Sequence, residues 1–205
     1  MSTVFDTILT QGVRSGQIPA REQSAREWYR NTAQNYNKMP GVKSTRRVNE
    51  NSLLRQTDRL TSRPKIGEMY MFGYDAKHKA TLPYFDKFPL IFPFASVKGG
   101  FMGINLHYLP LVYRAKLMDA LYGTRTNSKY DETTRLRINY NILNGASKYR
   151  YFQPCVKHYL NDHVKSQFVY VYPSEWDVAL FLPLERFSGA SKTKVWSDSR
   201  KAIGS

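Results

Sequence analysis

Apolar positions are sparse and irregular over roughly the first third of the chain and dense beyond it. Within residues 1–65 they appear only in short helical spacings. Val4, Phe5, Ile8 and Leu9 share one face behind the capping candidates Ser2 and Thr3, and Gly12 and Gly16 end that pattern. PAREQSAREWYRNTAQNY opens at Pro19 with good helix formers and one apolar patch, Trp28 and Tyr29. NKMPGVKSTRRVNENS has no period and reads as an extended connector, with a short helix expected near Ser52–Leu60.

The texture changes at Ile66. Met69–Tyr74 is apolar at successive positions and reads as a strand buried on both faces. Leu82–Phe94, LPYFDKFPLIFPF, packs three prolines and five aromatics into thirteen residues. Proline removes a ladder donor, so this segment is expected at a sheet edge or corner. Lys98–Gly99–Gly100 is a hairpin turn, and Phe101–Leu109 is a further strand in which Gly103 marks a bulge or a close backbone approach. Pro110 opens a helix over 110–122 that Gly123 stops. Residues 130–143 fit a helix or an alternating strand and are assigned here as a helix, with Asn144–Gly145 as its stop. A third helix is expected over 154–165, from Val156, Tyr159, Leu160 and His163. Gln167–Pro173 reads as a strand, and Ser174 caps a helical turn that points Trp176, Ala179 and Leu180 inward. The expected fold is α+β: a small antiparallel, barrel-like sheet flanked by helices, with an extended N-terminal arm. The corresponding domains are a basic arm at 1–65, a core at 66–187 and a short basic tail at 188–205 anchored by Trp196.

Charge changes the picture. Lys and Arg number 31 against 16 Asp and Glu, for a net charge of +15 in 205 residues. Such a surplus opposes self-association and attracts polyanions, whether nucleic acid or an acidic protein surface. Twelve of the basic residues lie in 1–65 with only five acids. A segment that buries so little of its own surface orders by lying on something else, and Trp28 and Tyr29 suit an arm that wraps a neighbour. Basic residues alternate with Tyr, Trp and Asn in STRRVN, TRLRINYN, SKYRYF and ASKTKVW. Lys and Arg attract phosphates, and aromatic rings stack on unpaired bases. Arg46, Arg47, Lys148 and Arg150 are the leading polyanion contacts. Phe85, Phe88, Phe92 and Phe94 exceed what one face of a short edge strand can bury. They are expected to form a contact surface for partner proteins, with Trp28, Tyr29 and Trp196 as anchors.

Candidate chemistry is thin. His158, Asp162 and His163 have poor zinc spacing. Asp75–Ala76–Lys77 echoes the acid-x-lysine half of a metal-dependent nuclease, but on a turn. The single cysteine, Cys155, excludes an internal disulfide and has no neighbouring base, so an inert thiol is expected. No GxxxxGK[ST] or GxGxxG loop occurs. MSTVFDTILTQGVRSG lacks the features of a secretory signal, and no run is long and apolar enough for a membrane span. The expectation is a non-enzyme with no cofactor, no membrane partner and no small-molecule substrate.

The runs MYMFGYDAKHKATLPYFDKFPLIFP, GFMGINLHYLPLVYRAKLMDAL and WDVALFLPLERFSGASKTKVWSDSRK resemble a small virion protein of large contractile-tailed bacteriophages, over residues 63–200. The resemblance implies a structural or DNA-end-associated class and assigns no catalytic residue. It adds a leading expectation: a structural component of the tail, baseplate or head–tail junction that locks neighbouring subunits through its arm, assembled in the host cytoplasm. Its partners would be virion proteins and the DNA backbone. The alternatives are a DNA-end-binding protein acting at the completion of packaging, and a metal-dependent phage nuclease.

Overall fold

The structure is a computed structural model that describes residues 50–110, 114, 131–148, 150–182 and 184–204. Its centre is a six-stranded antiparallel sheet. In chain order the strands are β1 (Leu60–Thr61), β2 (Met69–Met71), β4 (Leu90–Val97), β5 (Gly100–Asn105), β6 (Val156–Leu160) and β7 (Phe168–Val171). They are arranged β1-β7-β2-β4-β5-β6, and a separate two-stranded ribbon pairs β3 (Phe85–Asp86) with β8 (Phe187–Ser188). Four helices accompany them among the described residues: α1 (Glu50–Leu54), α2 (Glu132–Lys148), α3 (Trp176–Phe181) and α4 (Lys192–Gly204). The α+β class holds. The sheet does not close, because β1 and β6 remain its two edges.

Alternation along the strands builds two cores, one on each face. Met69, Met71, Leu90, Phe92, Val169 and Val171 point to one side, where Leu53, Leu143, Trp176 and Val195 from the four helices cover them. Tyr70, Phe72, Ile91, Phe101, Tyr159 and Phe168 point to the other. Among the described residues this second face carries aromatics and no helix. Phe72 sits 5.3 Å from Tyr159 on β6 and 4.8 Å from Phe168 on β7, ring centre to ring centre. The edge strand β6 thus reaches across β4 and β5 toward β2, and Phe101 on β5 lies 5.9 Å from Phe168 on β7, so the sheet is strongly curled. Edge-to-face ring packing fills the curl.

Phe85, Phe88, Phe92 and Phe94 are buried within the chain, at 9%, 0%, 0% and 6% exposure, so they are not a surface for partners. Of Leu82–Phe94, the part from Leu90 onward is not an edge, because β4 lies between β2 and β5, whereas Phe85–Asp86 lies in the separate β3–β8 ribbon. Pro93 is tolerated there because the register shifts between Pro93 and Ala95, which is where a sheet accepts a residue lacking N–H. β2 pairs only as far as Tyr70 and Ile91, and beyond it Gly67 N–H donates to Pro93 O at 2.9 Å. The aromatic surplus is thus absorbed by a core on each side of one central strand.

The expected helix over 154–165 is instead strand β6 between two short 3-10 turns. Apolar residues at i, i+3 and i+4 fit either structure over so short a run, and β5 supplies the room for a strand. A Cβ on Gly100 would lie 1.9 Å from Tyr159 O. Gly100→Ala is therefore expected to destabilise the fold by about 3 kcal/mol, measured by urea denaturation, because the backbone of β6 must move away.

The assigned helix over 130–143 is present as α2 and continues to Lys148. Asp131 Oδ1 accepts from Thr134 N–H at 2.8 Å, which starts it. Gly145 does not stop it, because Leu143 and Ala146 keep its inner face buried. The Phe101–Leu109 strand ends at Asn105, whose side chain accepts from His107 N–H and caps a 3-10 turn. The helix expected over 110–122 lies outside the described residues except for Pro110 and Arg114. At both ends the folded body is larger than expected. Leu53 is fully buried and β1 joins the main sheet, so residues from 50 onward belong to the core rather than the arm. The expected tail contributes α4, with Val195 and Ser199 buried. The arm proper, with Trp28, Tyr29, Arg46 and Arg47, lies outside the described residues.

Candidate nucleic-acid interface

Three stretches that are distant in sequence meet at one mouth of the curled sheet. They are Ser62–Pro64 after β1, the β4–β5 hairpin at Ser96 and Gly100–Phe101, and the β6–β7 connection at Asn161 and Val164–Phe168. They enclose an open groove of about 760 Å³. Phe101 and Phe168, 5.9 Å apart, form its floor. Arg63 and Lys165 line it, and no carboxylate among the described residues does.

Each wall is placed by local chemistry. Thr61 Oγ1 accepts from Arg63 N–H at 3.1 Å and donates to Arg63 O at 2.7 Å, folding the chain after β1. Gly99, at φ +76°, makes the hairpin turn and accepts Asn161 N–H at 2.9 Å. Ser166 Oγ accepts Gly73 N–H, and Lys165 N–H donates to Gly73 O, which ties the connection to the end of β2.

Basic side chains continue around the rim. Lys65 follows the lining residue Pro64, Lys98 lies in the turn between the lining residues Ser96 and Gly100, and both are exposed, as are Arg63 and Lys165. None of these four makes an ion pair among the described residues. Two acids lie near Lys165: Glu50, whose Oε1 shares the space beside Gly73 with Ser166 Oγ and Lys165 Cβ, and Asp75. The Asp75 carboxyl is held below the ordinary range chiefly by the hydrogen bond from Lys79, with smaller help from Lys165 and His163. Exposed apolar residues lie beside the cations: Val97 at the hairpin tip, 38% exposed, and Ile66, 37%. A second cavity of about 300 Å³ near Tyr70, Tyr170 and Tyr172 is lined by Asp58 and Glu68 as well as Arg59 and Lys65. Its carboxylates oppose a phosphate chain, so the mouth groove is the better polyanion site.

Of the sequence-derived contacts, Lys148 is exposed at the end of α2. Arg150 follows in a 3-10 turn, with its side chain outside the described residues. Lys148 does not line the groove. Trp196 faces the chain's own core, donating from Nε1 to His107 O at 2.8 Å. The lysines of ASKTKVW are engaged: Lys194 pairs with Asp198 at 2.6 Å, and Lys192 lies 5.2 Å over the Trp196 ring. Arg63, Lys65, Lys98 and Lys165 were not singled out because they form no run and share no motif; Lys98 read only as a turn residue.

The catalytic candidates do not assemble. Asp75 pairs with Lys79 on an exposed turn. No group of three metal-ligating side chains occurs among the described residues. Cys155 is fully buried, and burial pushes its thiol up to about 12. Among the described residues no helix is long and apolar enough to cross a membrane.

No curated protein and no solved structure matches this chain. A family model described as phage T4 terminal DNA protecting protein matches residues 14–202. The match reaches well into the N-terminal arm, beyond the region that carried the resemblance noted above. It bears out the resemblance to phage DNA-end-associated proteins, and it covers nearly the whole chain: this protein belongs to the phage T4 terminal DNA protecting protein family.

Proposed function

We propose that this protein binds the ends of duplex phage DNA and shields them without catalysis, acting at the completion of packaging and remaining with the ends in the particle. The observation that carries this is the family match over residues 14–202. The net charge of +15 supplies the attraction, and the groove at the sheet mouth gives it a place that no carboxylate lines among the described residues. The role as a joint between tail or baseplate subunits loses its phenylalanine contacts, because Phe85, Phe88, Phe92 and Phe94 are internal, and the arm on which it also rested lies outside the described residues.

The test compares one duplex sequence in two forms: linear, and closed at both ends by hairpin loops. Phosphate attraction is common to both, so a preference reports the end itself. The linear form is expected to bind at least about tenfold tighter at 0.2 M salt, a difference of roughly 1.4 kcal/mol, and to resist exonuclease in proportion to occupancy. Equal affinity for the two forms would reduce the protein to a general polyanion binder.

A further inference from the structure

Resting on that reading, we propose that the mouth groove takes the unpaired terminal nucleotides of a single strand rather than a flush, fully paired end. Three observations carry this. The first is shape. The site is a cleft formed by converging backbone segments, of about 760 Å³, within the range of roughly 300–1,000 Å³ that encloses small organic ligands. A paired terminus presents two strands and a stacked base pair and fits a flat platform; a cleft receives one strand.

The second is the lining. Ser62, Ser96, Asn161 and Gln167 offer hydroxyl and amide groups that make no side-chain hydrogen bond among the described residues. Beside them lie Pro64, Val164 and the aromatic floor of Phe101 and Phe168. A base inside a duplex has its pairing edge satisfied and its faces stacked, so it offers little beyond phosphates. An unpaired nucleotide exposes both an edge for amides and a face for apolar side chains. Only the unpaired nucleotide uses the whole lining.

The third is the placement of charge. Arg63 and Lys165 come from adjoining segments, after β1 and before β7, which pair antiparallel at Thr61 and Phe168, so two cations stand together along one side of the groove. That arrangement suits one phosphate chain passing two neighbouring cations.

The polarity of the strand is resolved by experiment. Full-length protein is titrated with labelled 30-base-pair duplexes carrying a blunt end, a two-nucleotide 5′ overhang or a two-nucleotide 3′ overhang, the opposite end closed by a hairpin loop. At least one overhang is expected to bind about tenfold tighter than the blunt end, from contacts to the unpaired bases. Asn161→Ala with Gln167→Ala is expected to reduce that preference to about twofold or less, with the melting curve of the parent retained because both side chains are exposed. A blunt end that binds as well as both overhangs, yet better than a fully closed duplex, overturns the strand-end proposal and leaves end binding standing. A fully closed duplex that binds equally well overturns the underlying reading. A preference unchanged in the double variant places the unpaired strand elsewhere and also overturns the proposal.

Discussion

Arg114→Met is expected to cost about 4 kcal/mol of folding stability, within the range for removing one partner of a buried charged pair. Arg114 is fully buried, with its guanidinium spread over four acceptors. Nε donates to Leu109 O at 2.8 Å, Nη1 to Leu180 O at 2.7 Å, and Nη2 to His107 O at 3.2 Å and to Glu185 Oε1 at 2.8 Å. It joins the turn after β5 to the end of α3 and to the segment leading to β8. Methionine fills the space and leaves a buried carboxylate and three carbonyls without that donor. Small domains are stable by only about 5–15 kcal/mol, so the variant approaches its threshold at physiological temperature.

The loss carries a pH signature. Burial pushes the Glu185 carboxyl up, but Arg114, His107 and Lys192 together outweigh it and hold the pKa below its ordinary 4.5. A carboxyl with a lowered folded pKa stabilises the fold above its unfolded pKa, and that contribution is lost as pH falls through the folded value. The parent therefore loses this contribution below about pH 4.5. In the variant, burial dominates and protonation of Glu185 relieves the buried charge. The stability gap between parent and variant is expected to narrow as pH falls from 7 to 4, measured by urea denaturation across that range. A constant gap would mean that Arg114 acts by packing alone.

Replacing Arg63, Lys65, Lys98 and Lys165 together with glutamine is expected to weaken binding to linear DNA about a hundredfold at low salt. All four are exposed. Each cation that meets a phosphate adds about 0.9 to the slope of log affinity against log salt, so the slope should fall by about 3 to 4. The loss should shrink as salt rises, because the parent is the more salt-sensitive of the two. Folding should change little, since none of the four makes an ion pair among the described residues. The same four substitutions made at Arg137, Lys148, Lys194 and Lys201, which do not line the groove, should cost much less.

The strands of this fold were legible because short, nearly continuous apolar runs bounded by turn residues stand out at Met69–Tyr74, Leu90–Phe94 and Gln167–Pro173, and the hairpin at Lys98–Gly99 has the glycine its turn requires. Three features were not. Pro93 signals an edge in isolation, and only the register shift beside it explains a proline in a central strand. The 154–165 segment is too short for its apolar spacing to separate helix from strand. The aromatic excess of Leu82–Phe94 suggested a partner surface because sequence shows how much apolar area exists, not how many faces bury it; a curled sheet buries both. The site was hidden for a related reason. Its cations lie in three separate segments, Arg63 with Lys65, then Lys98, then Lys165, brought together by topology, whereas the basic runs that stood out are partly engaged within the chain, as Lys194 is by Asp198. The buried polar core was also invisible: Asp86 gathers N–H donors from Phe88, Asn105 and Arg186 and contacts His107 Nδ1 at 2.7 Å, and nothing in the sequence connects the four.

The most direct measurement places a photoreactive thymidine at the last position of a linear duplex, or at its centre, and maps crosslinked peptides by mass spectrometry. The terminal probe is expected to crosslink to residues 62–65, 96–101 and 161–168, and the central probe to yield little from those segments. Equal crosslinking from both positions, or terminal crosslinks confined to residues 1–49 or to Lys192–Gly204, would contradict a DNA-end site at the mouth of the sheet.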